Sequence, residues 1–143
     1  MTFGIICAMP EELHALNERL TDRTETVLGG KTYLAGTIEN QAVVLVESGI
    51  GKVEAGITAE HLITDFKVDV VINSGSAGGI GEGLHVGDVV IATETAYHDV
   101  DVTAFGYEYG QLPAQPARFS ADPTWVERIS EAGKETGLNI KQG

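Results

Sequence analysis

One cysteine, one tryptophan, four prolines and nine lysines and arginines are few for 143 residues, and each scarcity excludes something. The single cysteine, Cys7, has no partner for an internal disulfide; inside the apolar run Phe3–Ala8 it reads as a small core residue suited to a reducing compartment. Nine basic residues against 21 acidic ones give a formal net charge of −12. Nucleic acid or an anionic membrane would approach against that field, so neither is expected as a partner. No apolar run nears membrane-spanning length, and no basic-then-apolar leader follows Met1. The expectation is a cytoplasmic protein.

Glycine, by contrast, is plentiful. Eighteen glycines without a repeat or a Gly-X-Y period indicate turns between short strands. The length and the 43% hydrophobic content suit one globular core, and residues 1–143 are read as a single α/β domain. Phe3–Ala8 predicts a buried strand, and Met9-Pro10-Glu11-Glu12 opens a helix carrying Leu13, Leu16 and Leu20. A meander follows: Thr26–Leu28, a Gly29-Gly30 hairpin turn, Thr32–Thr37, a turn at Glu39-Asn40, and Ala42–Glu47. Ile57, Ala59, Leu62, Ile63 and Phe66 suit one face of a helix over Val53–Phe66, before the strand Val70–Asn73. Val86–Ala92 predicts a further strand, Tyr97–Phe119 a long irregular connection rich in aromatics, and Asp122-Pro123 the cap of a helix over Thr124–Glu135. That helix would turn Trp125, Ile129 and Ala132 to one side, and Leu138-Asn139-Ile140 begins another strand.

Two strand ends carry the functional signal. Val70–Asn73 runs into Ser74-Gly75-Ser76-Ala77-Gly78-Gly79, and Val43–Val46 runs toward Ser48-Gly49-Ile50-Gly51-Lys52. Small residues at the carboxyl end of a buried strand let a ligand touch main-chain N–H groups. Taken singly, either segment is equally well an ordinary strand-to-loop turn. Two such ends can line one crevice.

Four segments together carry a family resemblance: Ala8-Met9-Pro10-Glu11-Glu12, Ser48-Gly49-Ile50-Gly51-Lys52, Asn73-Ser74-Gly75-Ser76-Ala77-Gly78-Gly79, and His98-Asp99-Val100-Asp101-Val102-Thr103-Ala104-Phe105-Gly106-Tyr107 after Tyr97. With them the chain resembles the 5′-methylthioadenosine/S-adenosylhomocysteine nucleosidases of the purine nucleoside phosphorylase superfamily, over nearly its whole length. The resemblance implies a mixed central sheet flanked by helices, incomplete at its C-terminus. The family's ribose-gripping glutamate, adenine-stacking aromatic and purine-protonating aspartate have no counterpart in these residues, so the 143 residues by themselves are expected to be inactive.

The implied reaction is hydrolysis of the bond between adenine and C1′ of ribose, in methionine salvage. Its oxocarbenium-like transition state needs a charge to stabilise the sugar, a water at C1′ and a proton for the purine. Glu12 matches the family's catalytic glutamate; without the resemblance, both it and Glu11 read as carboxylates facing a helix dipole, and Glu11 keeps that reading. Ser76, Ala77 and Gly78 match the purine- and ribose-lining turn. Met9 and Ile50 match positions near the sugar, with core filling as the competing reading. Val102, Phe105 and Pro113 match a segment that closes the 5′-alkylthio pocket of a neighbouring subunit in a homodimer, against the alternative of a locally packed loop. No cofactor and no metal are implied. His98, Asp99 and Asp101 have the residue types of metal ligands without the spacing, and read as a hydrogen-bonded loop scaffold. Lys52 lacks the rest of a phosphate loop and reads as the start of a helix. His14, His61 and His85 read as surface residues.

A phosphorylase of this superfamily binds phosphate with arginines, one of them on the strand before the Gly-Ser turn. Asn73 holds that place here, and Arg19, Arg23, Arg118 and Arg128 fall on predicted helices or loops away from both glycine turns. Water is therefore the favoured nucleophile over phosphate. A non-catalytic purine-binding or dimer-forming module is the alternative of another class.

Overall fold

The computed structural model describes residues 1–143, which divide into two compact units, Met1–Gly78 and Gly79–Gly143. In the first, β1 (Thr2–Cys7), α1 (Pro10–Arg19), β2 (Thr21–Leu28), β3 (Lys31–Ile38), β4 (Gln41–Glu47), α2 (Lys52–Thr64) and β5 (Val70–Asn73) build one mixed sheet with a helix on each face. The strand order is β2-β3-β4-β1-β5. β1 runs parallel to both β4 and β5, while β2, β3 and β4 form an antiparallel meander. The meander turns at Gly29-Gly30 and Glu39-Asn40 hold positive φ at both central residues, as a type I′ hairpin requires.

Alternation along the strands sorts the core into two layers. Cys7, Leu34, Val43 and Leu45 face α1 and pack with Leu13, while Ile6, Tyr33, Val44 and Val46 face α2 and pack with Leu62. A strand covered on both sides needs an apolar residue at every position, which is why Val43–Val46 is an unbroken apolar run.

Several elements differ from the sequence expectation. β2 begins at Thr21, not Thr26: as an edge strand it pairs on one side only, and Thr21–Glu25 are exposed and largely polar, hiding the strand from a hydrophobic reading. On α2 the buried positions are Thr58 and Leu62, with Ala59 and Phe66 beside them, whereas Ile57 and Ile63 are exposed. The Thr58 hydroxyl donates to the Glu54 carbonyl at 2.7 Å, so a polar residue sits on the inner face without an unmet hydrogen bond. His61 is half-buried, not a surface residue: its ring meets Tyr33 edge-on at 6.0 Å and its Nδ1 lies 2.7 Å from Asp65.

The second unit holds β6 (Val89–Ile91), β7 (Glu94–Thr95), β8 (Phe119–Ser120), α3 (Pro123–Lys134) and β9 (Ile140–Gln142). β6 is shorter than the expected Val86–Ala92, because Asp88 accepts the His85 N–H in a turn and Gly87 adopts φ 97°. It pairs in parallel with β9, which starts two residues later than expected. The Asp122 carboxylate caps α3 by accepting the Thr124 N–H at 2.8 Å. The inner face of α3 carries Val126, Ser130 and Gly133, while Ile129 and Ala132 are exposed. Gly133 sets this rotation: a Cβ there would lie 2.8 Å from Ile140 of β9, so the helix approaches the strand at its smallest residue. The stretch between Tyr97 and Phe119 is irregular as expected, with one 3-10 turn at Thr103–Phe105.

The assignment of the α2 inner face has a direct check. Leu62→Ala should cost about 2–5 kcal/mol in urea unfolding, and Ile63→Ala should stay within about 0.5 kcal/mol of the parent. Equal losses at the two positions would overturn it.

Candidate active site

β4, β1 and β5 lie side by side and parallel, so their carboxyl ends, Glu47, Cys7 and Asn73, share one edge of the sheet. The chain extends the ladder on both sides of β1: Ser48 N–H donates to the Cys7 carbonyl at 2.8 Å, and Ser74 N–H to the Ile6 carbonyl at 2.9 Å. Both Ser-Gly turns are thereby fastened to the central strand, at the edge where parallel sheets bind ligands.

Glu12 stands at this edge, on the first turn of α1. Met9 is the N-cap residue, Pro10 opens the helix, and Glu12 reaches back from the third helical position. Its Oε2 accepts the Ala8 N–H at 3.0 Å and the Met9 N–H at 3.1 Å. Its Oε1 accepts both the N–H and the hydroxyl of Ser76, each at 2.7 Å. The Ser76 N–H lowers the Glu12 carboxyl below its ordinary range most strongly. The Ser76 hydroxyl and then the Met9 and Ala8 N–H groups add to this, and partial desolvation opposes them. Glu12 is therefore an ionised carboxylate across the neutral range, held by donors from two separate parts of the chain.

Gly75 is the residue that sequence reasoning left without a role. A Cβ built on it would lie 2.8 Å from Cδ, Oε1 and Oε2 of Glu12 alike, and its φ is not in the left-handed region. The backbone does not require glycine there; the carboxylate lying against it does. The signal was in the Ser74-Gly75-Ser76 spacing, but sequence alone points to a ligand at such a turn, and here the protein's own carboxylate also lies on it.

The structure brings Met9, Glu12 and Ser76 together, with Met9 half-buried. Ile50 lies between two left-handed glycines, Gly49 and Gly51, and is 78% exposed, so it does not fill the core. Ala77 and Gly78 continue exposed beyond Ser76. In the second unit, Val102 is half-buried, while Pro113 and Phe105 are exposed, Phe105 at 81%. The segment is held by its own hydrogen bonds: Asp101 accepts the Thr103 N–H and hydroxyl, Gly110 N–H donates to the Val100 carbonyl, and the Tyr109 hydroxyl donates to the His98 carbonyl. That is a scaffold, and no three His, Cys, Asp or Glu side chains converge on a metal position. Lys52 is the first residue of α2.

The arginines are engaged elsewhere. Arg19 pairs with Glu39, Arg118 with Glu94, and Arg128 lies 5.0 Å over the Trp125 ring. Arg23, on β2 and not on a helix or loop as expected, pairs with Glu25 at 2.5 Å. It lines a cavity of about 540 Å³ that Gly49 also lines, so it is nearer to one glycine turn than the sequence indicated.

Comparison with known proteins agrees with this architecture. The family model described as the phosphorylase superfamily matches residues 2–143. The chain belongs to that superfamily. Among its members, the chain is 50% identical over 143 residues to a 5′-methylthioadenosine/S-adenosylhomocysteine nucleosidase from Actinobacillus succinogenes, covering all of this chain and 62% of that protein. It is also similar to the solved nucleosidase from Streptococcus pneumoniae, bound to a transition-state inhibitor, with 52% identity, a TM-score of 0.93, and coverage of 100% and 62%. The nucleosidase from Neisseria meningitidis, in complex with methylthio-immucillin-A, gives 45% identity, a TM-score of 0.96, and coverage of 99% and 62%. The chain thus spans about three fifths of the length of the relatives it matches.

Gly75→Ala tests the seating of Glu12. The added methyl should push the carboxylate off its donors and move Glu12 upward toward the ordinary carboxylate range, read by carbon NMR titration of its carboxyl group. An unmoved titration would show that the turn yields instead.

Proposed function

We propose that the protein carrying this chain hydrolyses the N-glycosidic bond of 5′-methylthioadenosine and S-adenosylhomocysteine, releasing adenine and the thioribose product in methionine salvage. The observation that carries this reading is the ionised Glu12, held at the carboxyl edge of the parallel strands by Ser76 and the end of β1. Support comes from the relatives, which are named for this reaction and are about half identical over the whole chain. As the C1′–N9 bond breaks, its electron pair leaves with adenine, which is neutralised by taking up a proton, and the ribose becomes cationic. Glu12 stabilises that charge, and as water bonds to C1′ the carboxylate takes the water's proton. Met9, Ile50, Ser76, Ala77 and Gly78 surround the nucleoside. Residues 1–143 then belong to one nucleosidase domain, a reading supported by the uninterrupted family match.

Water, not phosphate, is the nucleophile in this reading, because Asn73 stands where the resemblance places an anion-binding arginine and the four arginines have partners of their own. Glu12→Gln keeps the shape but removes the charge and the base, and should lower turnover by roughly two or more orders of magnitude. Inorganic phosphate should not accelerate adenine release. Near-normal turnover of the variant would remove Glu12 from the mechanism, and a ribose-1-phosphate product would make the protein a phosphorylase.

The assembly in this reading is a cytoplasmic homodimer. Phe105 is 81% exposed on a hydrogen-bonded turn, and an aromatic left that open favours a role toward a partner. Val102, Phe105 and Pro113 close the 5′-alkylthio pocket of the second subunit. Mixing Phe105→Ala subunits with Glu12→Gln subunits should then restore activity, because each mixed dimer has one site with both lesions and one intact site. No recovery despite verified subunit exchange would confine the loop to its own chain.

A further inference from the structure

An ionised carboxylate offers about four acceptor positions, and in Glu12 four donors fill them: Ala8 and Met9 N–H on Oε2, and Ser76 N–H and hydroxyl on Oε1. A base with every lone pair taken has no place for the water it is to activate. Three of the donors are main-chain N–H groups, fixed by the junction of β1 with α1 and by the turn that Ser74 fastens to Ile6. The fourth is a hydroxyl on a freely rotating bond, on an exposed residue. It is the only one of the four that can leave without the backbone moving. Building on the nucleosidase reading, we infer that the Ser76 hydroxyl is a gate on Glu12: in the empty site it occupies the acceptor position that the attacking water needs, and when the nucleoside enters it turns to an oxygen of the ligand and frees that position.

The gate couples occupancy to base strength. While the hydroxyl donates to Oε1, Glu12 is a weak base; once it turns away, one stabilising bond to the charged form is lost and the proton affinity rises at the moment water must be deprotonated. The donors on Glu12 are uncharged, and the titratable group beside it is the Cys7 thiol of β1, which burial and then the Glu12 charge push up, so that it stays neutral through the acid range.

The test separates this gate from a structural serine. The acid limb of kcat/KM reports Glu12 in the free enzyme and that of kcat reports it in the complex. In the parent protein the kcat/KM limb should lie at lower pH than the kcat limb. In Ser76→Ala the kcat/KM limb should move up to meet it, while Ser76→Thr, which keeps the hydroxyl, should preserve the separation. Carbon NMR titration without ligand should show Glu12 raised in Ser76→Ala and held low in Ser76→Thr. Coincident limbs in the parent protein, or a Glu12 titration that Ser76→Ala leaves unmoved, would overturn the gate. Absence of any nucleoside hydrolysis by the parent protein would instead overturn the functional reading on which the gate rests.

Discussion

The contact on which the first unit's site depends is the one between the Glu12 carboxylate and the turn after β5. It joins residues 64 positions apart in sequence through two 2.7 Å hydrogen bonds on one oxygen, while the other oxygen closes the start of α1 onto the end of β1. A carboxylate at a helix N-terminus is ordinarily a local device, compensating the dipole and capping free N–H groups. Here the same atoms also tie α1, β1 and the turn after β5 into one piece. The parallel pairing of β1 with β5 makes this possible, because it delivers both chain ends to the same edge.

The small residues of the turn follow from that contact. Gly75 lacks a side chain where the carboxylate lies, and Ser76 follows it with its N–H and hydroxyl turned to the same oxygen. On the other side of β1, Ser48 makes the corresponding main-chain bond to Cys7. Both turns thus continue the sheet by one hydrogen bond before departing from it. That leaves the first residues beyond the strands well placed and those after them exposed.

Much of this was legible in the sequence, and the failures have physical causes. Alternating burial on two faces made Val43–Val46 and Phe3–Ala8 readable, because strands covered on both sides are continuously apolar. β2 was half missed because an edge strand has no such requirement. The α2 and α3 faces were misread because the residues nearest the sheet are small or polar, Thr58, Ser130 and Gly133, and a hydrophobic count looks past them to Ile57, Ile63, Ile129 and Ala132. Motif resemblance singled out Glu12 and Ser76, but the bond between them depends on a parallel register that no local pattern encodes. The close approach of Gly75 to that carboxylate was invisible for the same reason: its neighbour is distant in the chain.

The geometry also bears on what the proposed hydrolysis asks of a single carboxylate. Stabilising a cationic sugar requires the charged form at every working pH, which favours many donors and a lowered proton affinity. Deprotonating water requires a free lone pair and a higher affinity, which favours few donors. These demands oppose each other on one side chain. Main-chain N–H groups satisfy the first permanently, since Ala8, Met9 and the Ser76 amide cannot rotate away from Glu12. A hydroxyl is the one donor type in this shell whose contribution is reversible without moving the fold, and it sits on the face open to solvent. In the proposed hydrolysis, a fixed set of donors that keeps the charge, joined by one movable donor that sets the basicity, would let a single glutamate serve both steps in order.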